Sequence, residues 1–165
     1  MDVILFLTFA VIAVVCAINV VVQTHPISSA LSLVGVMGSL AVLYLLLGAE
    51  FIAAAQVIVY AGAIMVLFVF VIMLLNAGAE ARQGRSLMVQ AVGVPLLIAL
   101  LGMLAFFVQR LYPHDKVHFG GFQGGTPYAI GKALFTTYLL PFEVTSILIL
   151  VAIIGAVVLA RKEIE

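Results

Sequence analysis

Charge is what this sequence has least of. Only 8% of its 165 residues are charged while 66% are hydrophobic, and seven cations balance seven anions. A soluble domain is about 25% charged and about 45–50% apolar, so this composition falls outside that class. A water-soluble fold of this length could not cover so much apolar surface. With so few Lys and Arg there is no basic patch to hold nucleic acid. Cysteine is nearly missing too. The single Cys16 excludes an internal disulfide and a self-contained iron–sulfur or cysteine-rich zinc site, each of which takes several thiolates. Set between Val15 and Ala17, it reads as a small apolar packing residue.

The usual catalytic side chains are also scarce where they would have to act. His25, His114 and His118 all fall in connecting segments, so no span offers an axial ligand to a haem. The spacing of His114 and His118 would suit a metal on a helix, but Pro113 and Gly120 interrupt one there. No Ser–His–Asp set and no paired carboxylates can be assembled inside the apolar runs. The chain alone is therefore not expected to be an enzyme, and no metal or cofactor site is assigned to it.

What is present is length of apolar run. About 20 apolar residues cross the hydrocarbon core as a helix. Five runs meet that length, at 3–22, 27–47, 51–75, 87–108 and 138–160. In lipid each backbone group needs an internal partner, and short alternating strands of the β-barrel kind are lacking, so the runs read as helices. The expected fold is all-α: a polytopic membrane protein with five transmembrane helices in one domain. Three connections are short, which makes neighbouring helices antiparallel. The fourth, 109–137, holds most of the polar residues and reads as a long surface loop. Its "GGFQGGTP" has the wrong glycine spacing for a nucleotide fingerprint and reads as a water-exposed turn. Met1-Asp2-Val3 is acidic where a secretory signal is basic, so the first run is expected to be a retained helix. Arg82 and Arg85 after the third run, with Arg161 and Lys162 after the fifth, place the N-terminus outside and the C-terminus inside.

Polar residues within the runs are the functional candidates. An ionisable group in a span carries a function by default, which singles out Glu143 in "YLLPFEVTS" as a proton-accessible carboxylate. Glu50 sits in the turn before the third run, and Asn19 reads as a hydrogen-bonding residue between helices. Gly35, Gly38 and Ser39 let helix backbones approach closely. The most unusual stretch is "QVIVYAGAIMVLFVFVIMLLN", from Gln56 to Asn76. Tyrosine belongs at the edge of a membrane helix and glycine weakens a helix, yet Tyr60-Ala61-Gly62-Ala63 lies near the middle of the third run. Gln56 and Tyr60, four residues apart, share a helix face, and the amide is the nearest partner for the phenol.

That stretch, with "GKALFTTYLLPFEVTSILILVAIIGAVVLARKE", resembles subunit J of the proton-pumping NADH:quinone oxidoreductase, respiratory complex I, whose mitochondrial counterpart is NADH dehydrogenase subunit six. Some members of that family carry Glu at the place of Gln56. The resemblance implies a third helix that holds a π-bulge beside the Tyr-Ala-Gly motif and switches between α and π forms to open a water path. Carried over by position, Tyr60, Gly62, Met65, Phe68 and Gln56 would line or gate it. It implies FMN, iron–sulfur clusters and quinone elsewhere in the complex. The implied partners are the quinone-site subunit and the small antiporter-like subunits, and the implied location is a bacterial inner membrane. Other readings are a subunit of a cation/proton antiporter or membrane hydrogenase, and a purely structural spacer.

Overall fold

The computed structural model describes residues 2–75, 87–111, 119 and 123–161. Arg82, Arg85, His114, Lys116, His118 and Lys162 lie outside the described residues. Those described form six helices: α1 (Asp2–Val22), α2 (Pro26–Leu46), α3 (Glu50–Leu75), α4 (Leu87–Leu111), α5 (Pro127–Thr136) and α6 (Leu139–Ala160). Four of them, α1, α2, α3 and α6, are long and apolar enough to cross a membrane. Within α4 the apolar stretch Pro95–Leu111 is shorter than those four, so four of the five expected spans are shown by length. Pro95 also removes one backbone donor inside that helix.

Local chemistry fixes the ends. His25, held extended at φ −92° and ψ 119° by the proline that follows, precedes α2, and Pro26 occupies its first turn, where a missing N–H costs nothing. At the other end Gly48 takes φ 82°. Its N–H donates to the Leu45 carbonyl at 3.0 Å, and the Ala49 N–H donates to the Tyr44 carbonyl at 2.9 Å. This glycine-dependent helix stop turns the chain sharply into α3.

The interior is small because most of each helix faces outward. The buried residues among those described include Ala30, Ser39 and Ala41 of α2 and Ala53, Gln56 and Met65 of α3. They mark the seam of an α1–α2–α3 unit. Across α1 and α2, Asn19 Nδ2 donates to Ser32 Oγ at 2.7 Å, and Ser29 Oγ donates to the Val20 carbonyl at 2.6 Å. Such bonds in lipid average about 0.6 kcal/mol each, so close packing matters as much. Gly35 supplies it: a Cβ there would stand 3.1 Å from Cys16 Sγ.

Within the segment read as a loop over 109–137, the described residues are more ordered than the sequence suggested. Helix α4 runs on to Leu111, and α5 occupies Pro127–Thr136. Thr126 caps α5 by accepting from the Ala129 N–H at 3.3 Å, with Pro127 in the first turn. The second half of "GGFQGGTP" is therefore a short 3-10 turn, Gln123–Gly125, followed by a helix cap. Gly125 is buried against the α2–α3 turn, and Phe119 packs on Phe6 with ring centroids 5.6 Å apart. These contacts set the start of α1, the α2–α3 turn and α5 on one side. Every residue of α6 is exposed, and it joins α5 through Phe135 and Phe142, whose rings meet edge-on at 5.1 Å.

Candidate functional site: the π segment of the third span

Helix α3 is not α-helical throughout. It opens as an α-helix over Glu50–Ala55, becomes a π-helix over Gln56–Ile64, and returns to α over Met65–Leu75. The closing bond shows the change directly: the Met65 N–H donates to the Tyr60 carbonyl, five residues back. Most π segments are single-turn bulges in otherwise α-helical runs, and they gather at functional sites. A nine-residue segment is about two such turns.

The wider turn decides which side chains meet α2. Nine residues of an α-helix make two and a half turns, so Gln56 and Met65 would point in opposite directions. A turn of roughly 4.4 residues, which i→i+5 bonding produces, brings them back to one side. Both are indeed buried, at 7% and 5% exposure. Ala53 and Gln56, then Ala61, Met65, Val69 and Ile72 form the buried or half-buried side of α3. Tyr60 and Phe68 are 50% and 48% exposed and lie off that side.

The five residues singled out on α3 thus divide. Gln56 and Met65 pack inward, while Tyr60, Gly62 and Phe68 face outward. The expected hydrogen bond between Gln56 and Tyr60 is not formed. Gln56 Nε2 instead donates to Met37 Sδ of α2 at 2.9 Å. The reason is the period: facing α2 together with Gln56 belongs to Tyr60 in a 3.6-residue helix, and the π turn gives that place to Ala61. Gly62 has a specific part in this geometry. A Cβ there would stand 3.2 Å from the Val57 carbonyl oxygen, the acceptor five residues back, so any side chain crowds the π form.

Glu143 is not brought to this segment. It lies in the exposed first turns of α6, where Thr145 Oγ1 donates to the Pro141 carbonyl and Ser146 Oγ to the Glu143 carbonyl, both at 2.7 Å. Glu50 stands at the first residue of α3, where its charge suits the helix N-terminus, and lines an open groove of about 360 Å³ with Gly38, Ala41, Leu45 and Ala53. Among the described residues no group of three or more His, Cys, Asp or Glu side chains could hold a metal. Two contributors escaped the sequence reading, Met37 and Gly125. A methionine in an apolar run carries no signal as an acceptor. The glycine pair before Thr126-Pro127 did carry one, since a close backbone approach is what a glycine there allows.

Apolar helices exposed along most of their length, with a polar and conformationally unusual segment in one of them, define a multi-pass helical membrane subunit. The family described as NADH-ubiquinone/plastoquinone oxidoreductase chain 6 matches residues 16–159, and the chain belongs to it. It is 37% identical over 158 residues to the NAD(P)H-quinone oxidoreductase chain 6 of Synechocystis sp., covering 96% of this chain and 80% of that protein. It is 34% identical over 164 residues to the NADH-quinone oxidoreductase subunit J of Rhodobacter capsulatus, covering 95% and 80%. To the chloroplastic NAD(P)H-quinone oxidoreductase subunit 6 of Zygnema circumcarinatum it is 36% identical, covering 96% and 91%. The chain is thus a membrane subunit of a quinone-reducing oxidoreductase complex, and the other subunits of that complex are its partners.

Proposed function

We propose that this subunit couples quinone reduction to proton translocation by changing the register of α3 between π and α forms. The observation that carries the reading is the π segment from Gln56 to Ile64, centred on Tyr60-Ala61-Gly62. Turning these nine residues from about two turns into two and a half would rotate the rest of α3 by about 160°. Tyr60 would then swing toward α2, and Met65 would leave it. A phenol entering a seam that held a methionine changes both its polarity and its capacity for water. Gly62 lowers the cost of the π form, because it adds no side chain against the Val57 carbonyl.

In this reading the chain holds no cofactor. FMN, iron–sulfur clusters and quinone belong to other subunits, and NADH supplies the electrons there. The subunit stands between the quinone-site subunit and the small antiporter-like subunits, in a bacterial inner membrane. Helix α4 crosses as a fifth span, leaving the N-terminus outside and the C-terminus in the cytoplasm. Glu143, on the exposed α6, is a proton-accessible carboxylate turned toward a neighbouring subunit.

Gly62→Val tests the switch. Its side chain meets the Val57 carbonyl in the π form and not in the α form, and overpacking of this kind costs about 1–3 kcal/mol. Applied to one of two states, that shifts their balance by about 5–150-fold. In enzyme shown by native gel to be assembled, quinone-coupled turnover and proton pumping should fall together by about tenfold. Electron transfer from NADH to an artificial acceptor at the peripheral arm should be kept. Pumping at the full rate would make α3 a structural spacer.

A further inference from the structure

The backbone at Gly125 lies directly against the α2–α3 turn. Gly125 lies so close to it that a Cβ on Gly125 would overlap the Gly48 carbonyl oxygen and stand 2.7 Å from Ala49 Cα. Gly125 is buried, although the residue before it is exposed. Gly48, the residue beneath, is itself in the left-handed region at φ 82°. Two glycines therefore meet: Gly125 could not carry a side chain without moving the turn, and Gly48 could not carry one without straining its own backbone. The turn Gln123–Gly125 leads directly into Thr126, the cap at the start of α5, and α5 is joined to α6 through Phe135 and Phe142.

We propose that Gln123–Gly125 is a clamp on the α2–α3 turn that fixes the first turn of α3 and confines any change of register to the residues beyond it. The geometry supplies the reason. Were the turn free, α3 could rotate as a rigid rod, and Ala53 and Gln56 would leave α2 along with everything downstream. With Gly48 and Ala49 held, Ala53 and Gln56 keep their places, and a register change must be taken up locally within the π segment. The clamp thus converts a rotation of the whole helix into a shift of one part of it. It also ties the start of α3 to the start of α6, the helix that bears Glu143. The inference deepens the switch proposed for α3 and rests on it for its purpose, but its structural content can be measured separately.

The test is backbone hydrogen exchange of the intact complex, read by mass spectrometry on peptides covering 45–53. Those residues hold the Gly48 to Leu45, Ala49 to Tyr44 and Ala53 to Ala49 bonds. Gly125→Ala should speed their exchange several-fold. Gly131→Ala, at a position where a Cβ meets nothing within 4 Å, should leave it unchanged. Should Gly125→Ala block assembly, Thr126→Val decides, since it loosens the cap without adding an atom to the turn; it should speed the same amides in the same direction. Unchanged exchange at 45–53 in an assembled clamp variant overturns the proposal. Proton pumping of the same enzymes is a separate readout: faster exchange with full pumping keeps the clamp and removes the gate.

Discussion

Gln56 shows how far one residue can be read. Its amide, alone in an apolar run, marked the third helix as more than a lipid anchor, and it is buried in the seam with α2. Its partner was not legible, because the expected pairing with Tyr60 assumed an α-helical period throughout. The acceptor is the Met37 thioether, a weak one. Removing it strands a buried donor, which costs about 1–3 kcal/mol, whereas removing both partners costs much less. Met37→Leu should therefore lower the thermal inactivation temperature of the assembled enzyme, and Met37→Leu with Gln56→Leu should restore most of the loss. If Met37→Leu alone matches the parent enzyme, the sulfur is not holding the amide. Tyr60 and Gly62 were legible as a pair of misfits, and the π segment on which they lie explains why they sit together.

At the scale of an element, hydrophobic length says a helix is present and says little about its period. The apolar run over α3 is continuous, and its mostly large side chains are compatible with either turn. What separates the forms is which residues face α2, and that depends on a partner helix the pattern alone does not place. The small residues were more informative. Gly35 stands against Cys16, and Asn19 reaches Ser32, as a seam of close backbones and a polar crosslink should. The stretch before α5 misled in the opposite direction. Its glycines and polar residues suggested a free turn, but the structure uses Gly125 for contact and Thr126 as a cap. Composition marks a change of direction well; it does not say what the turning backbone rests on.

For the whole molecule, the exposure of α6 along its full length and the small α1–α2–α3 interior fit a subunit whose packing is completed by neighbours. The contacts of Phe119 with Phe6 and of Gly125 with the α2–α3 turn put α5 on the side where α1 begins. In the proposed orientation that is the outer side. A single cysteine introduced as Tyr128→Cys, on a Cys16→Ala background, should then react with an impermeant thiol reagent added from outside. Tyr128 is exposed on α5, so a failure to label from that side, with labelling from the cytoplasmic side, would reverse the orientation.

The change of register itself is measured most directly by two thiols on α3. In the form described here Met65 is buried and Tyr60 is half exposed. In the proposed α form their places would be exchanged. In assembled enzyme carrying either Met65→Cys or Tyr60→Cys on the Cys16→Ala background, reactivity toward a small membrane-permeant thiol reagent is compared at rest and during quinone turnover. The account predicts a reciprocal change: Met65→Cys becomes more reactive during turnover as Tyr60→Cys becomes less so. Reactivities at both positions that stay the same through active turnover would contradict it.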